Sequence, residues 1–168
     1  MNNERYDIDL WPRPLSKNRL ALISAADGPE QWSIGVRDGQ TLLNKKGAGD
    51  RLSFRHESLP GTRSGWLGRK SELTIRDCTQ EKNRLAGLEW EFQEGGKLTA
   101  SDGRSWILQY HKKKIFKPSP EQPVTSSCFR LSQIDFRSSR ITILPEALDL
   151  REVVFVAAFE ILREELTD

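Results

Sequence analysis

Apolar and polar residues alternate with period two along most of the first 144 residues. Leu88-Glu89-Trp90-Glu91-Phe92-Gln93 is the clearest case, with Leu88, Trp90 and Phe92 on one face and the acids on the other. Arg51–His56 and Glu72–Asp77 alternate in the same way, and Trp32–Arg37 alternates apolar with small or polar residues. A period of two sends successive side chains to opposite faces, so each segment predicts a strand with one buried side and one wet side. Further strands are expected over Asn18–Ile23, Leu98–Ala100, Trp106–Tyr110, Lys113–Lys117, Cys128–Leu131 and Arg140–Leu144. The turns Asp27-Gly28-Pro29, Asp38-Gly39, Gly95-Gly96 and Asp102-Gly103 separate them, because Gly and Asp tolerate positive φ. The count reaches roughly ten to twelve strands at the spacing of an all-β sandwich or barrel.

After Leu144 the period changes. Pro145 and Asp149 signal a start, and Glu152 sits in the first turn, where a negative charge suits the helix dipole. A helix is expected over about 150–166, against the alternative of one more strand through Val153-Val154-Phe155-Val156. Val153–Phe159 has no polar face. A helix apolar all round has to be buried all round. A closed barrel enclosing the helix meets that demand and leaves no exposed sheet edge, whereas a sandwich would leave one face of the helix wet. The expected fold is therefore mainly β: a closed barrel around a hydrophobic C-terminal helix, as a single domain over residues 1–168.

This combination resembles the tubby C-terminal-like superfamily, which includes the tubby, phospholipid scramblase and LURP-one-related proteins. The resemblance rests on the long strand array and its ending, Val153-Val154-Phe155-Val156-Ala157-Ala158-Phe159-Glu160-Ile161-Leu162. The hairpin Leu98–Ile107 with its Asp102-Gly103 turn is similar to turns of that group. The resemblance implies a closed barrel around a hydrophobic helix, and a basic barrel surface that binds phosphoinositides. The palmitoylated cysteine cluster and longer terminal helix of the scramblase branch have no counterpart in this sequence.

Lys and Arg number 26 against 24 Asp and Glu, so the net charge is only +2. That balance argues against a dedicated nucleic-acid-binding domain. Its distribution is uneven. His111–Arg140 holds Lys112, Lys113, Lys114, Lys117, Arg130, Arg137 and Arg140 against two acids, a net +5, while Pro145–Asp168 has a net −5. Lysines also guard strand edges against aggregation, which needs no ligand. The functional reading is a basic patch for an anionic phospholipid headgroup. A protein partner is the alternative, with the acidic end Glu164, Glu165 and Asp168 as a second contact surface.

Catalytic signatures are missing. Ser64 lies three residues after Gly61, not two, so Gly61–Gly65 is not a nucleophile elbow. Gly68-Arg69-Lys70-Ser71 lacks the spacing of a phosphate loop. His56, Cys78, His111 and Cys128 have no metal-ligand spacing, and Glu89 and Glu91 read as a solvated face. Two cysteines do not make a disulfide scaffold, and free half-buried thiols are expected. The longest apolar run is too short for a membrane span, which takes about 20 residues. The sequence thus predicts a cytoplasmic, non-catalytic binding module without cofactor or metal, peripheral at a membrane if lipid is its ligand. A small barrel enzyme is the remaining alternative.

Overall fold

The computed structural model describes residues 4–10, 19–58, 71–80, 83–91, 95–109, 114–118, 127–131, 138–143 and 145–166. The structure is mainly β, with one C-terminal helix. Its strands are β1 (Glu4–Leu10), β2 (Arg19–Ala25), β3 (Gln31–Arg37), β4 (Gln40–Lys45), β5 (Gly49–Ser58) and β6 (Ser71–Asp77). Then come β7 (Arg84–Glu91), β8 (Gly95–Ala100), β9 (Ser105–Gln109), β10 (Lys114–Pro118), β11 (Ser127–Leu131) and β12 (Ser138–Ile143). A 3-10 turn, Pro145–Leu150, leads into α1 (Arg151–Leu166), within a residue of the expected helix.

Each strand pairs antiparallel with the next along the chain, and β1 pairs with β12 as well as with β2. Alternation decides which side each residue takes. In β1, Tyr6, Ile8 and Leu10 are buried while Arg5, Asp7 and Asp9 are exposed. The same rule buries Ile23, Trp32, Ile34, Leu43, Leu52, Phe54, Leu73, Ile75, Leu88, Leu98, Ile141 and Ile143 on one common face. The β3–β4 connection is the shortest, with Arg37 opposite Gln40. Its two central residues, Asp38 (φ 52°) and Gly39 (φ 76°), are both left-handed, as a type I′ turn requires. Gly39 takes that conformation without a Cβ penalty.

The apolar faces pack on α1. Val153–Glu160 are all buried, so more than two turns of the helix are covered on every side. Phe155, fully buried, stands edge-on to Tyr6 at 4.7 Å and to Trp32 at 5.0 Å between ring centroids. Phe54 and Phe159 make a similar edge contact at 6.0 Å. These distances lie in the favourable range for aromatic pairs. Ala157 and Ala158 likewise have no exposed surface.

Candidate functional site

The connections after β2, β4, β6 and β8 lie at one end of the strand array, and α1 begins there. Charged groups fasten it. Glu152 accepts hydrogen bonds from Trp32 Nε1 at 3.1 Å and from Arg51 Nε at 3.1 and 3.3 Å. Trp32 is 1% exposed, so this carboxylate gives a buried indole N–H its partner. Arg151 reaches Glu4 and Glu30, each at 3.6 Å, and Lys45 joins Glu30 at 3.1 Å while lying 5.1 Å from the Trp32 ring centre. Arg104 bonds both Asp102 and Asp149, tying the β8–β9 turn to the 3-10 turn. Those carboxylates push the Arg104 guanidinium further above its usual value. Arg104 in turn holds Asp102 below the usual carboxylate range. Thr79 does the same for Asp77, by donating its backbone N–H and its hydroxyl to Oδ1 at 2.7 and 2.6 Å.

At the far end of the buried segment, Glu160 is 5% exposed and its Oε2 lies 3.1 Å from His56 Nε2. A carboxylate this deep needs such a partner, because burying a lone charge is costly. The pair closes the apolar stretch of α1 against β5. His56 therefore has a structural contact. Among the described residues, no three His, Cys, Asp or Glu side chains gather as metal ligands. Cys78 is free and half-buried. Glu89 is exposed, opposite Glu72 and Lys97 in the register.

The structure divides the basic residues singled out in the sequence. Lys112, Lys113 and Arg137 lie outside the described residues. Lys114 and Lys117 belong to β10 and Arg130 to β11, where the backbone register places them. Lys114 is opposite Phe129, which is opposite Ile141. Ile115 is opposite Cys128, and Arg130 is opposite Arg140, which is opposite Asp7. Lys117 and Arg130 thus share the strand parity of Arg140, and Lys114 has the other parity. Arg140 is exposed, and its Nε donates to Asp7 Oδ1 at 3.2 Å. One charge of the expected patch is therefore matched by an acid on β1.

A second cationic region, which no local motif marks, lies on β4–β6. A recess of about 470 Å³ is lined by the end of the β3–β4 hairpin and by Arg55 and Arg76. Its residues come from three separate stretches, 39–41, 53–55 and 74–76, so only the strand register could have assembled it. None of the described residues that line it is acidic. No helix among the described residues is long and apolar enough to cross a membrane. Comparison of the chain with protein-family models, with curated proteins and with solved structures found no match.

Proposed function

We propose that the protein is a non-catalytic binding module: a closed, tubby-like barrel around α1 whose β10–β12 face recognises anionic phospholipid headgroups. The observation that carries this reading is the common parity of Lys117, Arg130 and Arg140 on three neighbouring strands. The burial of Val153–Glu160 supports it, because the space where a barrel enzyme would hold substrate is taken by the helix. Closure is supported by the pairing of β1 with both β2 and β12.

Each basic group near an anionic membrane contributes about 1 kcal/mol, so a few residues give weak, salt-sensitive attachment. The Asp7–Arg140 pair reduces that attraction, which leaves Lys117 and Arg130 as the main contributors. Sedimentation with phosphatidylserine-containing vesicles tests the reading. The protein pellets with them at low salt, stays in solution at high salt, and ignores neutral vesicles. The double variant Lys117→Glu, Arg130→Glu loses the pelleting. Equal pelleting of the variant and the parent protein would remove this face from the function.

A further inference from the structure

Three Asp-Gly pairs occupy turns of the chain: Asp27-Gly28, Asp38-Gly39 and Asp102-Gly103. An Asp-Gly pair can cyclise without a catalyst. The backbone nitrogen of the glycine attacks the neutral carboxylic acid at Cγ of the aspartate. A C–N bond forms, the bond from Cγ to its hydroxyl breaks, and the nitrogen's proton leaves with that hydroxyl as water. Water then opens the five-membered succinimide at one of its two carbonyls. Opening at Cγ restores aspartate. Opening at the main-chain carbonyl gives isoaspartate, whose backbone runs through Cβ and Cγ. Glycine is the favourable second residue, because it has no side chain to hinder the attack and its backbone turns freely. The fold decides which pair follows this course, since both reacting groups must be free to meet.

Asp102-Gly103 is held at both reacting groups. The Asp102 carboxylate accepts from the Arg104 backbone N–H at 3.0 Å and from Arg104 Nε at 2.8 Å. Those bonds keep it below the usual carboxylate range, so little neutral acid is present to react. The nitrogen is engaged as well, because Gly103 donates to the Ala100 carbonyl at 3.1 Å. Asp27 is tethered more loosely, with Arg5 3.9 Å away. Asp38-Gly39 differs on each count. Asp38 is exposed, and among the described residues none forms a hydrogen bond or ion pair with its carboxylate. The neighbouring cation, Arg37, is engaged by Asp50. The strand ladder resumes at Gln40, opposite Arg37, so the Gly39 N–H lies outside it. Nothing lies within 4 Å of the place a Gly39 Cβ would take, so the peptide has room to turn toward the carboxyl.

We propose that Asp38-Gly39 is a modification site, converting spontaneously to isoaspartate through a succinimide while Asp102-Gly103 stays intact. The product adds one carbon to the backbone of the shortest connection in the strand array. A type I′ turn has room for two residues, both left-handed, and Asp38 and Gly39 fill it at φ 52° and 76°. The lengthened turn no longer holds Arg37 opposite Gln40, so the tip of the hairpin opens. The pairs from Val36 opposite Thr41 inward lie outside the altered link and keep β3 on β4. Water lost in closure is regained in opening, so the mass of the chain is unchanged. This chemistry is independent of the β10–β12 face and of what that face binds.

Incubation of the full chain at pH 6 and 37 °C over several weeks tests this. Samples are digested and their peptides broken by electron-transfer fragmentation, which cuts at the added backbone carbon and so separates isoaspartate from aspartate at equal mass. Isoaspartate accumulates at position 38 at least tenfold faster than at 102, and faster than at 27. The same incubation in guanidinium chloride brings the three rates together, because without the fold only the shared Asp-Gly sequence acts. Arg104→Gln removes one of the two bonds on the Asp102 carboxylate and speeds conversion at 102, with the rate at 38 unchanged. Equal rates at 38 and 102 in the folded chain overturn the proposal, as does a faster rate at 27. So does a tenfold gap that persists in guanidinium chloride, which would assign the difference to local sequence. The comparison of sites within the parent chain decides the matter even if Arg104→Gln disturbs folding.

Discussion

Tyr6 takes a phenol into an aromatic cluster, where its hydroxyl donates to the Glu4 carboxylate. Burial, reinforced by that hydrogen bond to an anion, raises the phenol well above its ordinary value of 10.0. The consequence for stability has a definite sign. Below pH 10 both folded and unfolded chains keep this proton, and the phenol adds no pH dependence. Above pH 10 the unfolded chain releases it while the folded chain does not, so folding weakens as pH rises. Urea titrations at pH 8.5 and 11 are expected to show a lower midpoint at the higher pH, and Tyr6→Phe shrinks the difference. The acids Asp77 and Asp102 act in the opposite direction. Their folded values lie below the usual 3.8, so their contribution is present above about pH 4 and lost in more acidic solution.

At the scale of the element, α1 is the part most legible in the sequence. Its uninterrupted apolar run could only be enclosed, and the structure buries every residue from Val153 to Glu160. Glu160 is the exception that periodicity could not place, since its cost is met by His56, 104 residues earlier. Phe155 is fully buried and stands edge-on to two rings at once. Phe155→Ala is expected to cost about 3–5 kcal/mol, measured as a shift in the denaturant midpoint, because the rigid rings around it cannot collapse into the gap. Most strands were equally readable from their alternation. β4 is not legible in this way, because Leu42 and Leu43 are adjacent and break the period. Its place is set by the two-residue turn that folds it onto β3. β1 alternates cleanly, but Asp7 and Asp9 are poor strand formers.

For the whole molecule, the β1–β12 pairing is the contact that no local pattern could reveal. It joins Glu4 to Ile143 and Asp9 to Ser138 across most of the chain. The other strand pairs connect neighbours in sequence, so they are written into the turns between them. The candidate surfaces follow the same division. The net +5 of 111–140 was visible in composition, but its split into two parities depended on the register of β10–β12. The recess on β4–β6 was invisible for the same reason. Removing residues 1–10 would strip β12 and β2 of their shared neighbour and leave two open edges. Such edges pair with other chains. The shortened protein is expected to elute as large aggregates in size-exclusion chromatography, where the full chain runs as a discrete species. A discrete peak from the shortened chain would mean that β1 is dispensable for assembly.

The position of α1 in the chain gives folding a direction. Every described strand is synthesised before α1, the helix on which their apolar faces pack. Tyr6, Trp32 and Phe54 therefore leave the ribosome long before Phe155 and Phe159 exist to meet them. Among the described strands, β1 is made before the others and β12 after them, so their pairing comes late. A nascent chain of this design carries an uncovered apolar face through most of its synthesis. Its yield in the cell is then governed by how well that face is shielded until residue 160 appears.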